Sequence, residues 1–169
     1  MAWIQIVQTG LQNIANPVRK AGKAGQGEGV VAEEKHKKTV HHGKCLCGDV
    51  RFTAYNLSDI WYCHCKQCQH LTGYYIAAAG CKREDLIIEG EVNWLAISEL
   101  SRSGHCYSCG SYLFWDDASR DSMSITAGNI QGADEIEVKG HIFVEEKGSY
   151  YQITDGLPQY VGFPPQGTR

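Results

Sequence analysis

Seven of the eight cysteines in this chain are gathered into three tight groups, Cys45-x-Cys47, Cys63-x-Cys65-x2-Cys68 and Cys106-x2-Cys109, while Cys81 stands alone. Spacers this short let neighbouring sulfurs on one turn reach a single ion, because tetrahedral zinc holds thiolates at about 2.3 Å. Gly48 after Cys47 and Gly110 after Cys109 suit such turns, since glycine accepts the backbone angles that fold amides back towards sulfur. A disulfide across C-x-C is geometrically poor, and a C-x2-C redox pair belongs in a βαβ setting that the surrounding pattern lacks.

Seven clustered cysteines do not make two complete sets of four. The economical partition gives Cys45, Cys47, Cys106 and Cys109 one closed, structural zinc, and leaves Cys63, Cys65 and Cys68 holding a second zinc with a free coordination position. Closed coordination serves structure, whereas three ligands and an exchangeable position serve chemistry. The two pairs lie far apart in the chain, so their shared zinc would close a long loop that contains the triplet. Cys81 as a fourth ligand of the triplet is the competing partition. It sits in an apolar, strand-like run where a free cysteine behaves as a small hydrophobe.

The formal charge of −3 is unevenly spread. Residues 1–38 carry six Lys/Arg against three Glu, and the remainder carries ten against sixteen acids. Thiolate-bound zinc makes the body more acidic still, which argues against nucleic acid as a partner because phosphate binding needs a basic face. No run is long and apolar enough to span a bilayer, and no membrane partner is expected. The start of the chain lacks a secretory signal, so a cytoplasmic location is expected, with a mitochondrial presequence as the lesser alternative. Eight cysteines in a reducing compartment read as metal ligands or catalytic thiols before they read as disulfides.

Residues 1–38 read as a leader or arm. Trp3, Ile4, Val7, Leu11 and Ile14 recur at helical spacing and suggest a short helix over 3–15. The Gly-, Lys- and Glu-rich stretch that follows offers almost nothing to bury, as in a flexible linker. His36, His41 and His42 in the Lys-rich approach read as a solvated surface rather than a metal site. From residue 39 to 169 short segments of strand character alternate with turn residues: Val50–Ala54, Tyr74–Ala79, Leu86–Ile88, Val92–Ile97, Tyr112–Trp115, Met123–Ala127, His141–Val144 and Tyr150–Ile153. Many short strands of this kind predict a mainly β domain of antiparallel sheets. Trp61, Trp94, Trp115, Tyr74 and Tyr75 are expected in its core, with Tyr74 near enough to the triplet to line a pocket there.

Three stretches, Gly43-Lys-Cys45-Leu-Cys47-Gly48-Asp-Val50-Arg-Phe52, Cys63-His64-Cys65-Lys-Gln-Cys68 with Thr72-Gly73, and Cys106-Tyr-Ser-Cys109-Gly110-Ser111-Tyr-Leu113-Phe114, resemble the glutathione-dependent formaldehyde-activating enzymes, a family that includes centromere protein V. Ala127-Gly128-Asn129, His141-Ile142-Phe143-Val144 and Asp155-Gly156-Leu157-Pro158-Gln159-Tyr160 are similar to its later motifs. The resemblance covers about residues 43–161. It implies zinc-stapled antiparallel sheets of the β-tent type, with the same closed and open sites. Gln69 stands where the family commonly carries arginine.

A zinc held by three thiolates is a weaker Lewis acid than one held by imidazoles, and activates water less well. A thiol entering that shell loses its proton readily and stays nucleophilic. The expected chemistry is therefore a carbon–sulfur lyase or synthase reaction on adducts of a glutathione-type thiol with small aldehydes such as formaldehyde. A non-catalytic thiol-binding or structural zinc module is the alternative, and the sequence permits an oligomer. His64, between two ligands, is the candidate proton shuttle, against the plainer reading that its ring packs or meets solvent. His105 is read in the same way. His141 reads as a strand histidine bonded to a neighbouring segment, and Asp155 as part of a turn.

Overall fold

The computed structural model of the protein describes residues 39–165. The arm expected over 1–38, with its helix over 3–15, lies outside the described residues. Ten strands and one α-helix follow one another: β1 (Val40–Lys44), β2 (Arg51–Tyr55), β3 (Ile60–Cys63), α1 (Lys66–Thr72), β4 (Ile76–Lys82), β5 (Leu86–Glu89), β6 (Val92–Ala96), β7 (Ser101–Cys106), β8 (Tyr112–Asp117), β9 (Ser122–Thr126) and β10 (Val138–Ile142). No helix among the described residues is long and apolar enough to cross a membrane.

The mainly β expectation holds. One sheet has the order β1-β2-β5 and the other β10-β3-β4-β9-β8-β7-β6. All pairings are antiparallel except one: β10 runs parallel to β3, with His141 opposite Tyr62 and Ile142 opposite Cys63. A parallel neighbour needs a long crossover, and here it spans most of the domain. It brings the late His141 motif beside the first residues of the triplet.

The core forms between the sheets because the strands alternate. On β2, Phe52 and Ala54 are buried while Arg51 is exposed; on β9, Met123 and Ile125 are buried between half-buried serines. Phe52 from the small sheet meets Phe114 from the large sheet edge-on, with ring centroids 5.5 Å apart. Trp94 stacks over Phe114 at 6.1 Å from the other side. A Cβ on Gly104 would lie 2.8 Å from the Trp94 ring, so this β7 position keeps the indole in place by having no side chain. Asp116 is buried at the edge of this layer and compensated by Arg83 and Arg102, the latter at 2.9 Å.

Six of the eight expected strand regions coincide with β2, β4, β5, β6, β8 and β9, while His141–Val144 overlaps only the end of β10. Tyr150–Ile153 forms no strand: Tyr150 lies in a turn, and the residues after it join no ladder. Tyr151 caps the buried His64 instead of pairing in a sheet, and the Tyr150 hydroxyl donates to the Gly73 carbonyl. Expectation omitted β1, β3, β7 and α1. β7 reads Ser-Arg-Ser-Gly-His-Cys, and its buried positions are Ser103, Gly104 and Cys106, so no hydrophobic alternation announces it. Replacing Phe114 by Ala removes the ring on which both Phe52 and Trp94 pack. A loss of about 3–5 kcal/mol is expected, read as a lower urea midpoint with an unchanged slope.

Candidate metal centres and the cavity beside them

Each cysteine cluster is built at the end of a strand. Cys45 and Cys47 follow β1. The Cys45 amide donates to the Val50 carbonyl (2.9 Å), and the Val50 amide donates back to Cys45 Sγ (3.3 Å). Gly48 makes this return possible with a φ of +87°. Cys106 closes β7 and Cys109 lies in the turn to β8, where the Gly110 amide reaches the Cys106 carbonyl at 2.9 Å with a φ of +72° at the glycine. The expected glycine roles are thus present in both turns.

The two turns meet. Sγ of Cys47 lies 3.4 Å from that of Cys45 and 3.7 Å from that of Cys106, across a separation of 59 residues. All four sulfurs of Cys45, Cys47, Cys106 and Cys109 fall within 4.8 Å of one another. A tetrahedron of sulfurs around zinc has edges of about 3.8 Å, so the donor set fits such an ion. Ser111 ties the turns together: its hydroxyl accepts from the Leu46 amide at 3.1 Å and lies 3.2 Å from Cys109 Sγ. That hydroxyl, then the Ser111 amide, draw the Cys109 thiol down to about 5. Cys47 moves the other way: the Asp49 amide draws it down, but burial and the neighbouring thiols outweigh that and push it up to about 12. Sulfurs this close cannot all carry charge without a cation among them.

The triplet forms a second such group, with its three sulfurs also within 4.8 Å. Cys63 ends β3, Cys65 is the N-cap of α1, and Cys68 sits in its first turn with its amide 3.5 Å from Cys65 Sγ. The neighbouring Cys63 and Cys68 thiols, aided by the amides of Cys68 and Gln67, pull Cys65 down to about 2 against the effect of burial. Cys68 is raised by the Cys63 and Cys65 thiols and by burial. Cys81 does not join them. It is 2 % exposed and its thiol donates to the Tyr55 carbonyl at 3.6 Å.

Between its flanking ligands, His64 is fully buried and turned away from the sulfurs. Its Nδ1 is 2.6 Å from the Tyr151 hydroxyl and its Nε2 is 2.8 Å from His141 Nδ1, while His141 Nε2 is 2.9 Å from the Asp155 carboxylate. Hydrogen-bond valence dictates the direction. The carboxylate only accepts, so His141 donates from Nε2 and accepts at Nδ1; His64 then donates from Nε2 and accepts from Tyr151. The His64 ring is neutral in this arrangement. Burial, then the neighbouring His141 and Lys147, hold His64 down to about 4. Backbone contacts fix the same loop: the His64 amide donates to Ile142, and Gln69 Nε2 donates to the His64 and Glu146 carbonyls, each at 2.7 Å. Gln69 therefore bridges the triplet loop to the segment after β10.

A cavity of about 670 Å³ opens at the triplet. Cys63, Cys65 and Cys68 lie in its wall together with Trp61, Trp115 and Tyr112. Trp61 and Trp115 thus line the cavity instead of the core, and Tyr74 is not part of the lining. The short sequence distance of Tyr74 from Cys68 is undone because Gly73 ends α1 in a left-handed turn. Tyr112 was not singled out by sequence, since nothing local links it to the triplet. Burial, then the nearby Cys68, Cys63 and Cys65, raise its hydroxyl well above the usual phenol value, so it stays protonated and able to donate. His105 stacks on the outer side of that ring at 5.0 Å and bonds Ser103 at 2.9 Å.

Two measurements check the buried chain. The His64 ring is expected to remain neutral down to about pH 4 by ring-nitrogen NMR, whereas a midpoint near 6.5 contradicts the donor order. Because the unfolded ring binds its proton first, this histidine contributes stability above pH 6.5 that is lost as pH falls towards 4. Replacing His141 by Phe leaves the His64 Nε2–H without an acceptor, and a loss of about 1–3 kcal/mol is expected in chemical denaturation.

The family model described as glutathione-dependent formaldehyde-activating enzyme matches residues 40–146, which include all eight cysteines. No curated protein matches the chain. A crystal structure of a Rhodobacter sphaeroides protein is similar at 21 % identity and a TM-score of 0.49, over 59 % of this chain and 98 % of its own. With the family model spanning well over half of its length, the chain belongs to the glutathione-dependent formaldehyde-activating enzyme family.

Proposed function

We propose that the protein is a zinc-dependent carbon–sulfur lyase or synthase acting on adducts of a glutathione-type thiol with a small aldehyde. The single observation that carries this reading is the three-sulfur group at the wall of a cavity, with no fourth protein ligand gathered to it among the described residues and the Cys81 thiol bonded to the Tyr55 carbonyl. In this reading Cys45, Cys47, Cys106 and Cys109 hold a structural zinc, and Cys63, Cys65 and Cys68 hold a second. A zinc ion open at its fourth position supplies a place where an incoming thiol gives up its proton and stays nucleophilic.

The remaining contributions come from the chain. Cys63, Cys65 and Cys68 fix where the substrate sulfur arrives, and the cavity walls hold the aldehyde against it, so that the rate gain is chiefly proximity. The new sulfur–carbon bond forms as the carbonyl π bond breaks, and the thiol's proton ends on the former carbonyl oxygen. The reverse reaction returns thiol and aldehyde. Tyr112, protonated and in the same wall, is suited to donate a hydrogen bond to that oxygen as charge develops. His64 is engaged with Tyr151 and His141 and faces away from the cavity, so it serves by holding the Cys63–Cys65 turn rather than by moving a proton.

The test follows labelled formaldehyde and glutathione by NMR with the zinc-loaded full chain. Acceleration of adduct formation over the protein-free mixture is expected, with Tyr112→Phe reducing it by about 10²-fold. No acceleration, with the triplet's metal still perturbed by thiol, identifies a binding module. Metal counting on variants separates the two sites: Cys65→Ser is expected to lose one labile zinc and keep its fold, whereas Cys106→Ser misfolds.

A further inference from the structure

The cavity is longer than a small thiol needs, and its polarity changes along its length. It lies on the face of the large sheet opposite the core. From β4 it takes Ile76, Ala78, Gly80 and Lys82, the alternate residues of one strand face, together with Cys81, and from β9 it takes Ser122, Ser124 and Thr126. Small side chains on both strands leave a trough, and Trp61 and Trp115 flank it. The sheet register fixes positions along the trough. Ile76 pairs with Cys63 at the metal end, whereas Gly80 pairs with Ser124, which pairs with Trp115.

The Arg120 guanidinium lies over the Trp115 ring, 5.7 Å from its centroid, and 4.5 Å from that of Phe163. Four residues of strand separate the Ile76 level from the Gly80 level, which is about 13 Å. Lys82, two residues further, marks a level about 20 Å from the triplet. Both cations line the far part of the cavity, while its acidic side chain, Glu146, sits at the metal end with its carboxylate on the Lys66 amide at 2.8 Å. Arg120 is only loosely paired, with Asp117 at 3.6 Å outside the lining, and its guanidinium makes no hydrogen bond within the described residues. An anion is thus disfavoured beside the thiolates and favoured at the opposite end.

The walls between carry unmet polar groups. The Trp115 indole N–H and the Gln67 amide nitrogen are enclosed without a partner among the described residues, a costly state for a donor. The half-buried Ser122 and Ser124 line the same trough. A bare hydrocarbon arm would leave these groups unsatisfied. An arm bearing amide carbonyls would satisfy them.

We propose that the cavity selects thiols whose sulfur is separated from a terminal anion by an extended, amide-bearing arm of about 13–20 Å. This rests on the reading of the triplet as an open thiol-binding metal site. A tripeptide thiol occupies the metal end but spans only part of the trough, since two residues of extended chain reach only about 7 Å beyond the cysteine. Such a thiol meets the metal end without engaging Arg120. An arm of the phosphopantetheine type spans the trough and brings a phosphate to the guanidinium, a strong charge-assisted contact.

The experiment titrates the full chain, loaded with cobalt(II) in place of zinc, with cysteamine, glutathione and 4′-phosphopantetheine, following the cobalt absorption bands. Phosphopantetheine is expected to bind about tenfold or more tightly than cysteamine, with glutathione in between. In Arg120→Gln the ratio of phosphopantetheine to cysteamine affinity falls to that of phosphate-free pantetheine, while the ratio of glutathione to cysteamine is retained. Pantetheine without its phosphate, tested on the native chain, separates the anion from the arm and is expected to lose most of the gain. Equal affinities for all three thiols in the native chain, or a uniform weakening of all three by Arg120→Gln, overturns the proposal. If no thiol perturbs the cobalt bands, the open metal site itself fails; spectral change without selectivity defeats only the specificity.

Discussion

The convergence of two cysteine turns far apart in the chain is the constraint on which the remaining geometry depends. Cys45 and Cys47 leave the small sheet, Cys106 and Cys109 leave the large one, and their sulfurs meet at 3.4 and 3.7 Å. Thiols at such separations cannot all ionise together, as the opposed behaviour of Cys47 and Cys109 shows. A cation among them turns mutual repulsion into a crosslink over the loop that contains β3, α1 and β4. Everything built on that loop, including the triplet, inherits its position from this junction and from the Phe52–Phe114 contact between the sheets.

Within the loop the triplet has a second anchorage of a different kind. The side chain interleaved between two sulfurs is turned inward, where His64, His141, Tyr151 and Asp155 form a single directed run of hydrogen bonds. A carboxylate at one end and a phenol at the other give the run its direction, and His64 is buried neutral within it. The parallel pairing of β10 with β3 places His141 within reach, and the unpaired stretch around Tyr151 supplies the cap. The triplet is held by its back, which leaves its sulfurs facing the cavity.

The placement of the cavity follows from strand alternation. Ala79 on β4 packs into the core, Ala78 and Gly80 on the other face form the trough, and the buried Cys81 borders both. One strand therefore serves stability with one face and ligand accommodation with the other. The aromatic residues divide likewise, Trp94 covering the core and Trp61 and Trp115 flanking the cavity.

Local sequence determined the things that local chemistry controls. The cysteine spacings, with Gly48 and Gly110 at positive φ, were sufficient to define the clusters and their grouping as four and three, and alternating segments such as Arg51–Tyr55 and Ser122–Thr126 were sufficient for the β class. Tertiary structure alone decided the rest, because it depends on contacts between segments distant in the chain. Tyr112 becomes a neighbour of the triplet through the sheet, β7 is a strand because β6 and β8 pair with it, and Asp155 proves to be both a turn residue and the terminal acceptor of a buried chain. Spacing along a backbone sets which donors can share an ion. Only the packing of sheets sets what the shared ion would face.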